Sequence, residues 1–402
     1  MKNIWIIAPF TAIETKDTRN RFLFLADLMS KQGYKITLFT STFSHQLKKQ
    51  LDFLDDIKKS FNFDVIFVNE PGYQKNVSVK RIFSHVIFSG NLKKIVQNKE
   101  KPKLVYCAYP TMSAASSMAK YCKENNVPFV LDVQDTWPES ISVAINIEKW
   151  YFKLPLYPMT LWANKIYKSA DLVFAVSDSY CKRAYVKGSN AIGYHSVYIG
   201  ADLKVFNESS DFKIAKPKGE IWLIYIGTLS HSYDIETAIR AMKELEYIKE
   251  LKLFILGQGP DYNKLKELAR NLNILNVNVF FKGTLQYDKM TSFLKVSDVA
   301  VNAIKGNSKA TFTNKLGDYL AAGLPILNSC SQQEIIDFID TENIGYNYAS
   351  EDVKNLAENI LKLTGNSLIR EEMGKKSKLI SELKFDRNVS YQKIISEVEN
   401  LM

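Results

Sequence analysis

The residues best suited to chemistry lie in TFTNKLGDYLAAGLPI, positions 311–326. A helix capped by Thr313 or Asn314 presents free amides and a dipole that together favour an anion. Lys315 adds a positive charge to the first turn, which opposes the dipole and is better explained by a bound anion than by stability. Asp318, three residues on, falls on nearly the same helix face. A carboxylate beside a diphosphate site is positioned to accept hydrogen bonds from ribose hydroxyls. A solvated Lys–Asp pair is the plainer alternative. Upstream, Ile226-Gly-Thr-Leu229 and Leu256-Gly-Gln-Gly-Pro260 each end an apolar run. Without a Cβ, Gly227 lets a ligand approach the backbone, and the turn through Thr228 and Leu229 can offer amides to phosphate oxygens. Gly257 repeats the arrangement, although many α/β folds use such glycines merely to turn.

Turns of this kind need strands behind them, and the chain supplies an alternation that provides these. Residues 2–9 (KNIWIIAP) have the length and Ile/Trp content of a buried strand. Positions 22–31 repeat apolar residues at helical spacing, Gly33 closes the pattern, and a strand follows over 34–40. A strand, helix and strand within about 40 residues make a βαβ unit, hence a parallel sheet. Strands at 64–69, 104–108, 129–133, 171–177 and 197–199, with a helix over 113–125, complete a first domain, residues 1–206. Polar residues 207–219 (NESSDFKIAKPKG) read as a linker. The alternation restarts with strands at 221–226, 252–256, 277–281, 299–303 and 325–328, and helices over 234–246, 262–271, from 287 and over 313–322. This second domain covers 220–384, leaving 385–402 as a C-terminal helix expected to pack back on the first. The fold class is α/β: two tandem, doubly wound, Rossmann-like domains with ligands at the carboxyl ends of their strands, facing a cleft.

The bulk composition agrees. A chain of 402 residues suits two domains of roughly 200 residues each. With 46% hydrophobic and 24% charged residues it is ordinary globular material. Cys107, Cys122, Cys181 and Cys330 lie far apart, which argues against a disulfide framework or zinc site and favours a reducing cytoplasm. Neither a signal peptide nor a spanning helix is expected. The net charge of +10 is concentrated early: residues 1–105 hold 18 basic and 9 acidic side chains, an excess that attracts anionic partners. Within it, Lys75, Lys80, Arg81, Lys93, Lys94, Lys99, Lys101 and Lys103 are threaded with Ile82, Phe83, Val86, Ile87, Phe88, Leu92, Ile95 and Val96. Such a stretch suits the surface of an anionic membrane, where the protein would be peripheral. A core helix with solvated lysines is the alternative. His45, His85, His195 and His231 show no ligand spacing, and no D-x-D occurs, so no metal is expected.

The chain resembles the retaining glycosyltransferases of family 4, nearly end to end. The motifs that carry this are ADLVFAVS (170–177), IGADLKVF (199–206), YIGTL (225–229), ILGQGP (255–260), VFFKG (279–283) and DYLAAGLP (318–325). Each is soft, but they fall in the right order. LDVQDTWPES (131–140) is similar to the D-x-W-P-E-S stretch of bacterial O-antigen and capsule transferases, many of which handle N-acetylated deoxysugars. The resemblance implies a GT-B fold and a retaining transfer from a UDP-linked donor to a saccharide or lipid-linked acceptor in surface-polysaccharide synthesis. On the donor side it implies Gly227, Thr228, Leu229, Gly257 and Lys282, joined by Thr313, Asn314, Lys315 and Asp318. On the acceptor side it implies Arg19, Arg21, Asp135, Trp137 and Glu139. Asp135, Lys315 and Asp318 are the expected catalytic groups, although Asp135 and Glu139 also fit the first turn of a Pro138-initiated helix.

The sequence also departs from the family. The second acid of the family's Glu-x7-Glu falls on Asp318 and the first on Ala310. The family's Arg and Lys after the first glycine strand fall near Thr228 and Tyr233, with Lys315 as the replacement charge. The histidine that often precedes Asp135 is Gln134. The Gly-Gly of the first loop is missing from 9–18, where Arg19 and Arg21 serve instead. No cofactor is expected, because amides and cations can stabilise a leaving phosphate unaided. A nucleotide-sugar 2-epimerase is the alternative enzyme. Nucleic-acid binding is not expected, since no RRM, KH or zinc-finger signature accompanies the charge.

Overall fold

The computed structural model describes residues 2–11, 13, 20–52, 54–76, 78–140, 156–208, 212–306, 308 and 311–402. Contacts divide the chain into unit 1, Met1–Tyr198 with Tyr391–Met402, and unit 2, Ile199–Ser390.

Unit 1 contains β1 (Asn3–Ile7), β2 (Lys35–Ser41), β3 (Phe43–Ser44), β4 (Lys49–Gln50), β5 (Asp64–Val68), β6 (Leu104–Tyr109), β7 (Phe129–Val133), β8 (Leu172–Ala175) and β9 (Tyr194–Ser196). Seven of them form one sheet in the order β5-β2-β1-β6-β7-β8-β9, every pair parallel, while β3 and β4 form a small antiparallel ribbon. β1, β6, β7 and β8 are buried along their whole length, as a sheet covered on both faces requires. On one face Ile4, Ile6, Ile36 and Leu38 meet Phe22, Leu25 and Met29 of the helix Arg21–Lys31, whose start is capped by the Asn20 side chain. Tyr391, Ile394, Ile395 and Val398 of the helix Arg387–Leu401 complete that layer. On the other face Trp5 stacks on Tyr121 of the helix Met112–Asn125. Each fully buried Ile, Leu or Phe contributes roughly 1.5–3 kcal/mol.

One buried polar group joins these layers. The Arg21 guanidinium, 4% exposed, donates from Nε to Asp132 at 2.8 Å and from Nη1 to the Val197 carbonyl at 2.9 Å and the Tyr391 hydroxyl at 3.4 Å. The Tyr106 hydroxyl donates to the same Asp132 oxygen at 2.6 Å. Burial pulls the Arg21 pKa down, and the Asp132 charge beside it more than reverses the effect.

Unit 2 contains β10 (Ile221–Ile226), β11 (Leu251–Leu256), β12 (Val279–Gly283), β13 (Val299–Asn302), β14 (Ile326–Asn328) and β15 (Gly345–Asn347), in the order β12-β11-β10-β13-β14-β15 and all parallel. Both sheets therefore run outward from a central first strand and reverse there, which is the doubly wound pattern. The last sequence strand of unit 1 lies at Tyr194–Ser196, ahead of the expected 197–199, and β12 starts at Val279 because Asn276 turns the chain with φ 60°.

The division between the units falls at Tyr198/Ile199, ahead of the stretch read as a linker. Ala201 is bridged to Asp386, its amide donating to the Phe385 carbonyl at 2.9 Å. Lys216, inside 207–219, donates to the Val296 carbonyl at 3.1 Å and pairs with Asp298. These contacts give much of 207–219 to unit 2. Among the described residues no helix is long and apolar enough to cross a membrane.

Breaking the Arg21–Asp132 pair strands one buried charge. Arg21→Met or Asp132→Asn should each destabilise unit 1 by roughly 3–5 kcal/mol. Urea unfolding followed by circular dichroism measures it, and a loss under about 1 kcal/mol would show the network to be solvated in solution.

Candidate functional site

The carboxyl ends of β10, β11 and β13 surround the start of the helix Asn314–Ala321. That helix is fixed from within: Tyr319 accepts the Ile226 amide at 3.0 Å and donates to the Val301 carbonyl at 3.3 Å. Among the described residues no side chain caps its N-terminus. The capping residue Thr313 has extended backbone but makes no side-chain cap bond, and its Oγ1 is buried without a partner.

Lys315 comes off the first turn. Its Nζ donates to the Tyr225 hydroxyl at 2.6 Å and lies 4.4 Å from the Tyr225 ring centre and 3.5 Å from that of Tyr233. The Tyr225 hydroxyl gives its own proton to the Thr228 carbonyl at 2.8 Å, which leaves its lone pairs facing the ammonium. Among the described residues no carboxylate pairs with Lys315. Burial holds its pKa well below the ordinary lysine value, with no opposing charge to restore it.

Glycine is required under this side chain. Gly227 has φ 114°, and a Cβ there would stand 2.3 Å from Lys315 Cε. Gly257, with φ 152°, lies so close to β10 that its Cβ would meet the Gly227 carbonyl oxygen at 1.8 Å. The two turns thus touch through bare backbone.

The remaining donor-side expectations separate. Asp318 receives the Tyr287 hydroxyl on Oδ1 at 2.9 Å. Asn314 and Thr228 are exposed. Leu229 is fully buried in the unit 2 core, so any contribution it makes is through the backbone amide expected of that turn. Lys282 stands over the Phe254 and Phe280 rings, at 5.5 and 5.6 Å, and is not among the groups around Lys315.

On the acceptor side two residues are already engaged. Arg21 is spent on Asp132 and the unit 1 core, which corrects its reading as a binding group, and Glu139 is taken by Arg183 Nε. Arg19 lies outside the described residues, as does Ala310. Asp135 accepts the Ser140 hydroxyl, and burial raises its pKa. Trp137, 9% exposed, hydrogen-bonds Asp135 through its side chain and offers its ring to the Arg81 guanidinium at 4.4 Å. Sequence reading missed Tyr225 and Tyr233 as the bed of Lys315. The signal was present: the lysine expected from the family resemblance falls near Tyr233. It also missed Arg81 as anything but part of a basic face. Among the described residues no cluster of His, Cys, Asp or Glu suits a metal.

Residues 20–203 match the family model "Glycosyltransferase Family 4" and residues 206–379 match "Glycosyl transferases group 1". An uncharacterized glycosyltransferase of Methanocaldococcus jannaschii is 27% identical over 245 residues, which are 58% of this chain and 60% of that protein. The chain thus spans well under two thirds of that relative's length. Among solved structures, sucrose-phosphate synthase from Thermosynechococcus elongatus superposes with a TM-score of 0.74 at 14% identity, over 100% of this chain and 99% of that one. Anabaena HepE in complex with UDP gives 0.70 at 12% identity, with both chains covered in full. With a glycosyltransferase domain matched in each half and the fold shared along its length, the chain belongs to the GT-B glycosyltransferases, joining a family 4 domain to a group 1 domain.

Proposed function

We propose that the chain is a retaining glycosyltransferase that takes a sugar from a UDP-linked donor held by unit 2. Its acceptor is a saccharide, free or lipid-linked, in the synthesis of a surface polysaccharide such as capsule or O-antigen. The observation that carries the donor reading is Lys315: a desolvated ammonium at an open helix N-terminus, with no carboxylate to balance it among the described residues. A diphosphate supplies that balance. The lysine expected from the family resemblance falls near Tyr233, and Lys315 rests its charge on that very ring.

The chemistry follows from the charges. As the glycosidic bond to the diphosphate breaks, negative charge builds on the leaving oxygen. An ammonium and helix amides fixed beforehand stabilise it without reorganising. The leaving phosphate then helps to take the proton of the acceptor hydroxyl attacking the same face of the sugar. Asp318, steadied by Tyr287, suits the ribose hydroxyls. Asp135 suits orientation of the acceptor, since a carboxyl raised by burial can share a proton with a hydroxyl. The complex of HepE with UDP recommends UDP as the first probe. An N-acetylated deoxysugar as the transferred group rests on the DTWPES resemblance alone.

A peripheral position on an anionic membrane draws support from one helix. Val79, Ile82, Phe83 and Val86 recur at helical spacing along Val79–Gln97 and are 82, 50, 60 and 52% exposed. Phe88 is fully buried and Ile87 partly so, which corrects their expected insertion; the apolar face is the stripe that includes Phe83. Lys93, Lys99 and Lys101 border a recess of about 300 Å³ beside the same helix.

Lys315→Met should melt no lower than wild type, because it removes a desolvated charge, yet bind UDP at least about tenfold more weakly, the worth of one charge-assisted hydrogen bond. Asp318→Ala should lose affinity for uridine as well as UDP. Since a bound diphosphate raises the Lys315 pKa, UDP binding should take up protons and weaken as pH rises above the free-state value. Calorimetry in buffers of different ionisation enthalpy reads this, and wild-type UDP affinity in both variants would misplace the donor site. Transfer should survive EDTA; loss restored by manganese would contradict a metal-independent mechanism. Donor incubated alone should keep its configuration, whereas epimerised product would favour the 2-epimerase. Finally, charge reversal at Lys93, Lys94, Lys99 and Lys101 should release the protein from anionic vesicles, each lysine contributing about 1 kcal/mol. Wild type remaining in the supernatant at low and high salt would remove the membrane from the proposal.

A further inference from the structure

At the carboxyl edge of the unit 1 sheet, where doubly wound domains take their ligands, a second group of cations has no ion-paired carboxylate among the described residues. The loops after β1, β2, β5 and β7 bring Phe10, His45, Tyr73 and Trp137 around Arg81, which enters from the first turn of Val79–Gln97. The guanidinium is 8% exposed and lies 4.4 Å from the Trp137 ring centre, 5.4 Å from Phe10 and 5.5 Å from Tyr73. Its Nη1 donates to the Asn76 carbonyl at 2.8 Å, and it also meets the Tyr73 side chain. Its Nε is buried without a partner among the described residues, and so is His85 Nε2, on a ring 6% exposed. Lys48 adds a second cation at the rim, bonded to Asn76 Oδ1 at 2.5 Å and 3.4 Å from His45 Nδ1.

The nearby carboxylates, Glu70 and Asp135, attract Arg81 from a distance without pairing with it. Glu70 is held by the Ser41 and Ser84 hydroxyls at 2.5 and 2.6 Å, and Asp135 by Ser140; neither forms an ion pair with Arg81 or Lys48. Leaving a buried guanidinium donor unpaired costs about 1–3 kcal/mol. The setting also keeps both imidazoles neutral: burial first, then the charges of Lys48 and Arg81, push His45 down to about 3, and burial with Arg81 pushes His85 down to about 3. Phe10, His45 and Lys48 are partly exposed and form a rim over the buried floor of Arg81 and His85.

We infer that this box binds an anionic group, a carboxylate or a phosphate, carried by the acceptor sugar. The guanidinium Nε and Nη edge, Lys48 and a neutral imidazole N–H together match two oxygens of such a group. The aromatic walls exclude water and add a face on which a sugar ring can lie. Acceptors of this class are uronates and sugar phosphates, the latter free or lipid-linked; a neutral sugar would leave Arg81 unanswered. The inference rests on the glycosyltransferase reading and names the acceptor's chemistry.

The chain has four histidines, so their ring C–H signals resolve the test residue by residue. The full chain is first saturated with UDP, which occupies the anion site of unit 2. Glucuronate, glucose 1-phosphate and methyl glucoside are then titrated separately. At least one of the two anionic sugars should move the His45 and His85 signals, leave those of His195 and His231 in place, and bind about tenfold or more tighter than methyl glucoside. Glucuronate without the phosphate, or the reverse, assigns the group. Arg81→Met should abolish the response, and Lys48→Met at the rim should weaken it should Arg81→Met not fold. No movement with either anion, or equal affinity for methyl glucoside, overturns the inference. Failure of UDP itself to bind would instead sink the donor reading, which keeps the two failures apart.

Discussion

In a parallel sheet every strand delivers its carboxyl end to the same edge, and both sheets of this chain are parallel throughout. That constraint decides where chemistry can be. The loops that leave β10 and β11 and the helix that follows β13 converge on one edge of unit 2, while the loops after β1, β2, β5 and β7 converge on one edge of unit 1. Strand interiors are consumed by burial on both faces and have no side chains to spare. The residues free to bind are therefore those just past strand ends, and both charge clusters lie there.

The chain handles its buried cations in two different ways. Arg21 is answered by Asp132 and by backbone carbonyls, and it stitches the helix Arg21–Lys31, β7 and the C-terminal helix into one layer. Arg21 also lies 4.9 Å from the Tyr391 ring centre, but Lys315 and Arg81 rest on aromatic faces with no ion-paired carboxylate among the described residues. An aromatic face offers a desolvated cation on the order of 1–2 kcal/mol, well short of the cost of drying the charge. A cation held this way stays available to an incoming anion, whereas one held like Arg21 does not. The countercharge is what separates Arg21 from the two cations proposed to meet a ligand.

That distinction explains what the sequence revealed and what it hid. Strand–helix alternation, the glycine turns at Gly227 and Gly257, and the open start of the Asn314 helix all rest on local patterns, and the structure bears out the α/β, two-unit architecture they imply. Lys315 was legible because a lysine in a helix's first turn is locally unfavourable. Arg21 misled because its partner is 111 residues away, and nothing local marks a guanidinium as buried. Arg81 was hidden among lysines of the same helix, since only the packing of four loops sets it apart from them.

The C-terminal helix carries one further consequence, for the order in which the protein can be made. Unit 1 is written in two pieces: its sheet is complete by Tyr198, but the layer over Ile4, Ile36 and Phe24 is closed by Tyr391, Ile394, Ile395 and Val398. At ribosomal speeds of 5–20 residues per second, residues 199–390 occupy roughly 10–40 seconds. During that interval the nascent first unit exposes the apolar surface its last helix will cover, with Arg21 lacking its Tyr391 contact. The second unit, uninterrupted from Ile199 to Ser390, can settle as soon as it clears the tunnel. Unit 1 thus closes its core only after the whole of unit 2 has been made.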